Sequence, residues 1–469
     1  MKGNVIMKAS KQNPTFIDGF LALFLFGIIG AYLIIAKGIP PHIAMIIGVA
    51  IASLFALRCG SSWKTIEDGM INGMTQALGA VVILLLIGML IGTWICSGVV
   101  PAMVCYGLRL LSPKTFLVSA MLLCMFVSLA LGSWGAAGTI GIALMGISDV
   151  LGFPPSLTAG AIVSGSYIGD RISPITDMTN LVSSVTQADV FQYIRKVLMI
   201  NILSISVAGI IYYFIGIQYS SDIGIEGEIL ELIGIMEQEF KIGVIDFFPL
   251  VVLLTCILLK VPAIPSLFFG LVSAGILAVA VQGKDIVTVL NSCFYGYVGN
   301  TGHPVIDSLL TSGGIEAMLY SLTLSLSAMM FGGVMEETGL MQAVMIPIVR
   351  RAKNIKTLTT SVILSTFVVN AVLPDAYVAV MLPGKMFQKA FEDRNISRST
   401  FGCAVGSGAC SLSPLIPWNT CGVFMTTVLG VQTMSYNRYA FVNILVPIAA
   451  VLIVFLRPQN DEVKLSHQK

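Results

Sequence analysis

The chain has 469 residues, 56% of them hydrophobic and only 11% charged, with a formal net charge of +2 and a mean hydropathy of +0.91. A soluble domain wets its surface with roughly 25% charged residues, so a soluble enzyme, a nucleic-acid-binding protein and a disordered chain are excluded. The 26 basic and 24 acidic residues nearly cancel and single out no partner.

The opening stretch, Met1 to Thr15, is polar and basic and runs into the apolar segment Phe20–Ala36 with no small-residue cleavage site. That pattern predicts an uncleaved first helix rather than a signal peptide. Further apolar runs follow at Ile39–Leu57, Val81–Ile95 and Val197–Phe214. Each approaches the ~20 residues that span a bilayer, so the expected fold is an all-α polytopic membrane protein of about 10–12 transmembrane segments. The nine cysteines form no CxxC pair, and Cys96, Cys124 and Cys256 lie inside apolar runs. They read as small buried hydrophobes rather than disulfides or metal ligands. His42, His303 and His467 stand apart, so no zinc or haem set can be assembled and no cofactor is expected.

The sequence is written twice. Ile17-Asp18-Gly19-Phe20 recurs as Ile245-Asp246-Phe247-Phe248, Gly92 and Gly98 as Gly333 and Gly339, Ser173-Pro174 as Ser413-Pro414, and Asn201-Ile202-Leu203 as Asn443-Ile444-Leu445. The spacing between the later landmarks stays within 240–243 residues. The expected domains are a first transmembrane repeat at 1–220, an acidic connecting loop at 221–240, a second repeat at 241–458 and a polar cytoplasmic tail at 459–469. Lys and Arg concentrate in cytoplasmic loops. With the N-terminus inside and an odd number of crossings in each half, 19 basic residues fall inside, 6 outside and Arg171 within the membrane. Inverted topology is the economical reading, with both termini in the cytoplasm.

Inverted repeats point to a secondary transporter whose site forms near the midplane, where broken helices from the two halves meet. The breaks are legible at Leu131–Gly138, at Gly165–Asp177, at Asn370–Asp375 and at Ser413–Thr420, each rich in glycine, proline or small polar residues. Non-helical backbone at membrane depth survives only where protein or a watery cavity surrounds it. Intramembrane carboxylates are costly and functional by default. Asp170, Asp177 and Asp375 are therefore the candidate ion-binding and proton-carrying groups, with Ser173, Thr179, Asn419 and Thr420 as supporting oxygen ligands. Carboxylate and neutral oxygens suit a hard cation. A poorly solvated carboxylate also holds protons more tightly, so one site can take either a cation or a proton.

Plainer readings stand beside these. Each acid could cap a helix end or pair with Arg171, which itself reads as a counter-ion or as a fork for an organic anion. Glu336 and Glu337 close an apolar run and serve as secondary candidates, as does Trp418, which either walls a cavity or packs. Asp307 and Glu316 read as loop residues, and Asp18 and Asp246 as N-terminal charges of equivalent first helices. No nucleophile–base pair is visible, so an enzyme is not expected.

At these breaks the sequence resembles the NhaC-type family of sodium/proton antiporters. The resemblance rests on Gly169-Asp170-Arg171-Ile-Ser173-Pro174-Ile-Thr176-Asp177-Met-Thr179-Asn180 and on Pro414-Leu-Ile-Pro417-Trp418-Asn419-Thr420-Cys421-Gly422. Gly332-Gly333-Val-Met-Glu336 and Leu382-Pro383-Gly384-Lys385-Met386-Phe387 fit the same family, and the likeness covers nearly the whole chain. It implies exchange of sodium for protons across the bacterial inner membrane by alternating access. Some members resemble malate/lactate exchangers coupled to both ions, and that alternative stays open. Sodium and protons are the expected cargo, the lipid bilayer the setting, and a homodimer an allowed assembly; nucleic acid is not an expected partner.

Overall fold

The computed structural model describes residues 14–174, 176–220, 226–259, 261–351 and 354–456. Lys2, Lys8, Lys11 and the tail at 459–469 lie outside them. Helices make up the first half in the order α1 (Phe16–Ala31), α2 (Pro41–Arg58), α3 (Trp63–Cys96), α4 (Val99–Leu110), α5 (Phe116–Ala136), α6 (Ile142–Val150), α7 (Pro155–Ile172), α8 (Asp177–Thr186) and α9 (Val190–Ser220). A helix α10 (Glu226–Glu239) leads on to α11 (Phe248–Leu258), α12 (Ala263–Ala280), α13 (Ile286–Tyr295), α14 (Pro304–Leu310), α15 (Gly314–Glu337) and α16 (Leu340–Arg351). The chain ends in α17 (Ile355–Val372), α18 (Ala376–Glu392), α19 (Arg398–Leu412), α20 (Thr420–Leu429), α21 (Thr433–Tyr436) and α22 (Phe441–Leu456). Among the described residues the only extended pairing is an isolated bridge between Tyr297 and Ser312.

Short polar signals start these helices. Thr15 and Asp18 form a reciprocal capping box at α1, with the Thr15 hydroxyl donating to the Asp18 carboxylate at 2.6 Å. Ser62 accepts from the Thr65 amide at α3, and Asn354 from the Thr357 amide at α17. Asp246 holds the same place in the second half, accepting from the Gly243 amide at 2.8 Å.

Among the described residues six helical segments are long and apolar enough to cross a membrane: 16–34, 41–58, 63–96, 190–219, 314–337 and 355–372. Two helix pairs are apolar and long enough only when taken together, and each is sharply bent, by 106° between 99–110 and 113–129 and by 55° between 433–439 and 441–456. Much of the remaining apolar sequence is cut into helices of 10–17 residues. Fewer straight spans therefore exist than the apolar content predicts, because the breaks divide several of them. Large apolar side chains such as Phe191, Ile210 and Phe214 on α9, or Phe268 and Ile276 on α12, face outward. Such a surface is insoluble in water and suited to lipid. The protein is a multi-pass membrane protein.

Two crossings organise the core. Helices α3 and α15 pack against each other along their length, and α5 packs against α7 as α17 packs against α19. At the first crossing glycines let the backbones touch: a Cβ on Gly73 would overlap the Met329 carbonyl, and one on Gly88 would stand 2.6 Å from the Gly314 carbonyl. Contact rising along one helix and falling along the other makes α3 and α15 antiparallel.

The structure departs from the sequence reading in two places. The connecting segment is not a simple loop. Leu232, Ile233 and Met236 are buried, the spacing of an amphipathic helix, and α10 docks on α4 with Arg109 paired to Glu237 at 2.6 Å. Asp307 and Glu316, read as loop residues, stand in the first turns of α14 and α15. Asp307 accepts from the Thr301 amide and hydroxyl, and the dipole at a helix start favours both acids.

Candidate ion-binding site

The first-half break begins at Gly132, whose backbone (φ 70°, ψ 177°) interrupts α5. A π-helical turn follows at Ala137–Gly141, another local departure that recurs at functional sites. The break releases the Ser133 amide from the helix ladder. That amide donates to Oδ2 of Asp170 at 3.3 Å, and the Ser133 hydroxyl donates to the same oxygen at 2.8 Å. Asp170 is 8% exposed near the end of α7. Its backbone carbonyl, orphaned at that helix end, accepts from the hydroxyls of Thr176 at 2.6 Å and Thr179 at 2.8 Å.

The second-half break runs from Leu373 to Asp375. Asp375 caps α18, Oδ1 accepting from the Tyr377 amide at 2.8 Å and the Val378 amide at 3.3 Å. Its other oxygen accepts from the Thr420 hydroxyl at 3.1 Å, and the Thr420 amide donates to the Pro374 carbonyl at 2.8 Å. The two breaks of the second half are thus stitched together around one carboxylate. Asn370 lies beneath it, its Oδ1 accepting from Ser413 at 2.8 Å and from Asn419 at 3.2 Å.

Tyr377, 46% exposed, donates its backbone amide to Asp375 at the start of α18. The break of the first half also packs on the second, since Trp134 stacks on Phe424 with ring centres 4.2 Å apart.

The profile of the Na+/H+ antiporter family matches residues 21–217 and 166–457. The chain belongs to the Na+/H+ antiporter family. It is 30% identical over 439 residues to the Na+/H+ antiporter NhaC of Alkalihalophilus pseudofirmus, covering 92% of this chain and 95% of that protein. It is 30% identical over 432 residues to the malate-2H+/Na+-lactate antiporter of Bacillus subtilis, covering 92% of each. A third relative, the arginine/ornithine antiporter ArcD of Halobacterium salinarum, is 31% identical over 426 residues, covering 90% of this chain and 88% of that protein.

In this member of the antiporter family the expected site residues take different stations. Asp177 is exposed in the first turn of α8, where the helix dipole favours an acid. Ser173 donates to the Leu129 carbonyl at 2.5 Å. Asn419 caps α20, its Oδ1 accepting from the Cys421 amide at 3.0 Å. Trp418 donates to the Ala371 carbonyl at 2.8 Å and sets its ring edge-on to Phe26, tying the second break to α1. Glu336 and Glu337 end α15, half-buried and exposed, and the charged neighbours of Glu336 are Glu337 and Lys385. Arg171 turns away from Asp170: among the described residues no carboxylate lies within ion-pair distance of it. It donates instead to Asn201 at 3.2 Å, Ser411 at 3.1 Å and Ser407 at 3.1 Å.

Ser133 and Tyr377 went unmarked in the sequence reading. Each follows a break residue closely, one place after Gly132 and two after Asp375, which was the available signal. Gly132 itself carries a prediction. Its backbone region is nearly closed to side chains, at a cost of 1–3 kcal/mol, while a Cβ there would meet Asp170 Oδ1 at an ordinary 3.8 Å. Gly132→Ala is therefore expected to lose about 2 kcal/mol through the backbone alone and to move the Ser133 amide off Asp170. Thermal unfolding in detergent checks it; a variant that melts with the parent would refute the assignment.

Proposed function

We propose that the protein exchanges sodium for protons across the cytoplasmic membrane by alternating access, with Asp170 as the principal carrier and Asp375 as its partner from the other half. One observation carries the reading: each half holds one carboxylate at a helix break, Asp170 taken by Ser133 just after the Gly132 break and Asp375 tied by Thr420 to the neighbouring break. Thr420 supplies a neutral oxygen beside Asp375, and the carbonyl of Asp170 is held in place by Thr176 and Thr179. Sodium occupies the ionised site, and protonation releases it, so that the two cargoes compete for the same oxygens.

The helix crossings support inverted halves. The 241-residue offset of Gly92 to Gly333 carries Gly73 to position 314 and Gly88 to position 329. Gly73 touches Met329 and Gly88 touches Gly314, so the two contacts are one contact read from both sides, as a two-fold axis requires. Because these equivalent helices run antiparallel, the axis lies in the membrane plane. Arg171 and Ser411, 240 residues apart, likewise meet across α7 and α19. The basic residues then place both termini in the cytoplasm.

The purified chain in liposomes with a trapped pH dye tests the function. Sodium added outside is expected to drive protons out of the lumen against it, and an outward sodium gradient to do the reverse. The second reading, a carboxylate exchanger, follows the relative named for malate and lactate. Labelled malate entering lactate-loaded vesicles, with no sodium-driven proton movement in their absence, would replace the first reading by the second. Asp375→Asn separates cap from carrier, because Asn caps a helix as well as Asp. We expect a folded protein whose exchange falls at least about tenfold, equivalent to ~1.4 kcal/mol; unchanged exchange would leave Asp375 a cap only.

A further inference from the structure

Arg171 is 1% exposed and holds a positive charge that no acid balances among the described residues. Its surroundings hold buried polar groups left over. The guanidinium Nε and the amide Nδ2 of Asn201 are buried donors without a hydrogen-bond partner, and the Tyr193 hydroxyl, within interacting reach of the guanidinium, has no acceptor for its own proton. These groups share one place. Asn201 Oδ1 takes one guanidinium arm, Ser407 the other, the charge of Arg171 reaches the Tyr193 hydroxyl, and that hydroxyl lies against Gly406, next to Ser407. Buried polar groups are nearly always satisfied, and an unpaired buried charge is costly. An excess of N–H and O–H donors around an unbalanced cation lacks an acceptor with negative charge.

We propose that the Arg171 junction, between α7, α9 and α19, binds one chloride-sized inorganic anion. Three of the five guanidinium N–H groups are engaged, by Asn201, Ser407 and Ser411, which leaves one on Nε and one on Nη2. Together with Asn201 Nδ2 they suit one small spherical acceptor, and competition with lactate tells it from a carboxylate. A small cleft along the same helices is lined by Lys196, Ile200, Thr359, Thr400, Cys403 and Ala404. Ile200 precedes Asn201, Cys403 lies one turn before Ser407, and the buried Thr359 hydroxyl also lacks a partner. Lys196 gives the cleft a positive charge that draws anions toward it. The anion stays with the protein as the counter-charge of Arg171, away from the carboxylates that carry the cation.

Equilibrium dialysis of radiolabelled chloride against the purified full chain, in gluconate buffer with detergent, tests this independently of transport. The parent is expected to bind chloride saturably, at one site per chain, with bromide displacing it more readily than lactate does. Tyr193→Phe, which removes one donor and leaves the charge, is expected to weaken binding about tenfold. Arg171→Lys keeps the charge without the fork and is expected to weaken it further, and Arg171→Gln to abolish it. The two conservative variants serve should Arg171→Gln fail to fold. Absence of saturable binding in the parent, binding unchanged in Tyr193→Phe and Arg171→Lys, or preferential displacement by lactate would each overturn the proposal. Sodium/proton exchange is read separately, so its failure would leave this result standing.

Discussion

Asp170→Asn is expected to remove sodium-dependent proton movement altogether, to the level of empty liposomes, while the protein remains folded. The substitution keeps the shape of the side chain and an oxygen to accept from the Ser133 amide and hydroxyl, which now meet Asp170 at 3.3 and 2.8 Å. What disappears is the negative charge and with it the proton-binding oxygen. A neutral amide neither balances sodium at membrane depth nor takes up a proton near neutral pH. Loss of exchange without unfolding identifies the charge as the missing property, because the two Ser133 donors still meet an oxygen and any structural role is kept. The parent and the variant are compared by dye-reported flux and by thermal unfolding in the same detergent. Exchange persisting within a few-fold of the parent would remove Asp170 from the mechanism and shift the burden to Asp375.

The sequence and the structure agree where a single residue type dictates the local backbone. Gly132, Pro374 and Ser413-Pro414 mark the breaks because glycine opens conformations closed to other residues and proline withdraws a helix donor; all lie where α5, α17 and α19 are interrupted or end. Asp18 and Asp246 open their helices as expected. What the chain does not spell out is which donor a polar side chain will find. Ser173 and Asn419 read as ion ligands by composition, and the structure adds local duties to each, Ser173 at the Leu129 carbonyl and Asn419 as the cap of α20. Breaking a helix frees backbone groups that must be paired before any ion is served, and these side chains serve them. Arg171 was open to two readings, counter-ion or anion fork, because its neighbour in sequence is an acid. On a helix, adjacent residues point about 100° apart, and Arg171 lies against Ser407 and Ser411 of α19 instead of Asp170.

The crossing of α3 and α15 yields the largest expected effect on stability. At Gly73 a Cβ would overlap the Met329 carbonyl and press on the Gly333 backbone, whereas at Gly79 on the same helix nothing lies within 4 Å. Overpacking a core usually costs about 1–3 kcal/mol because side chains shift to absorb it. Here the obstacle is backbone on a second helix, which cannot change rotamer. The two helices must part, and their packing loosens along the whole crossing. Small residues drive helix association in lipid for this reason, as close approach replaces the hydrophobic effect that the bilayer removes. Gly73→Val is therefore expected to cost 3 kcal/mol or more, roughly the top of the overpacking range, and to appear as aggregated or early-melting protein on size exclusion and thermal unfolding. Gly88→Val, whose Cβ would stand 2.6 Å from the Gly314 carbonyl, should behave alike, because the obstacle there is backbone too. Gly79→Ala should leave the melting point level or raise it slightly. Equal melting of all three variants would mean that α3 and α15 do not meet in this register, and the two-fold relation between the halves would fall with it.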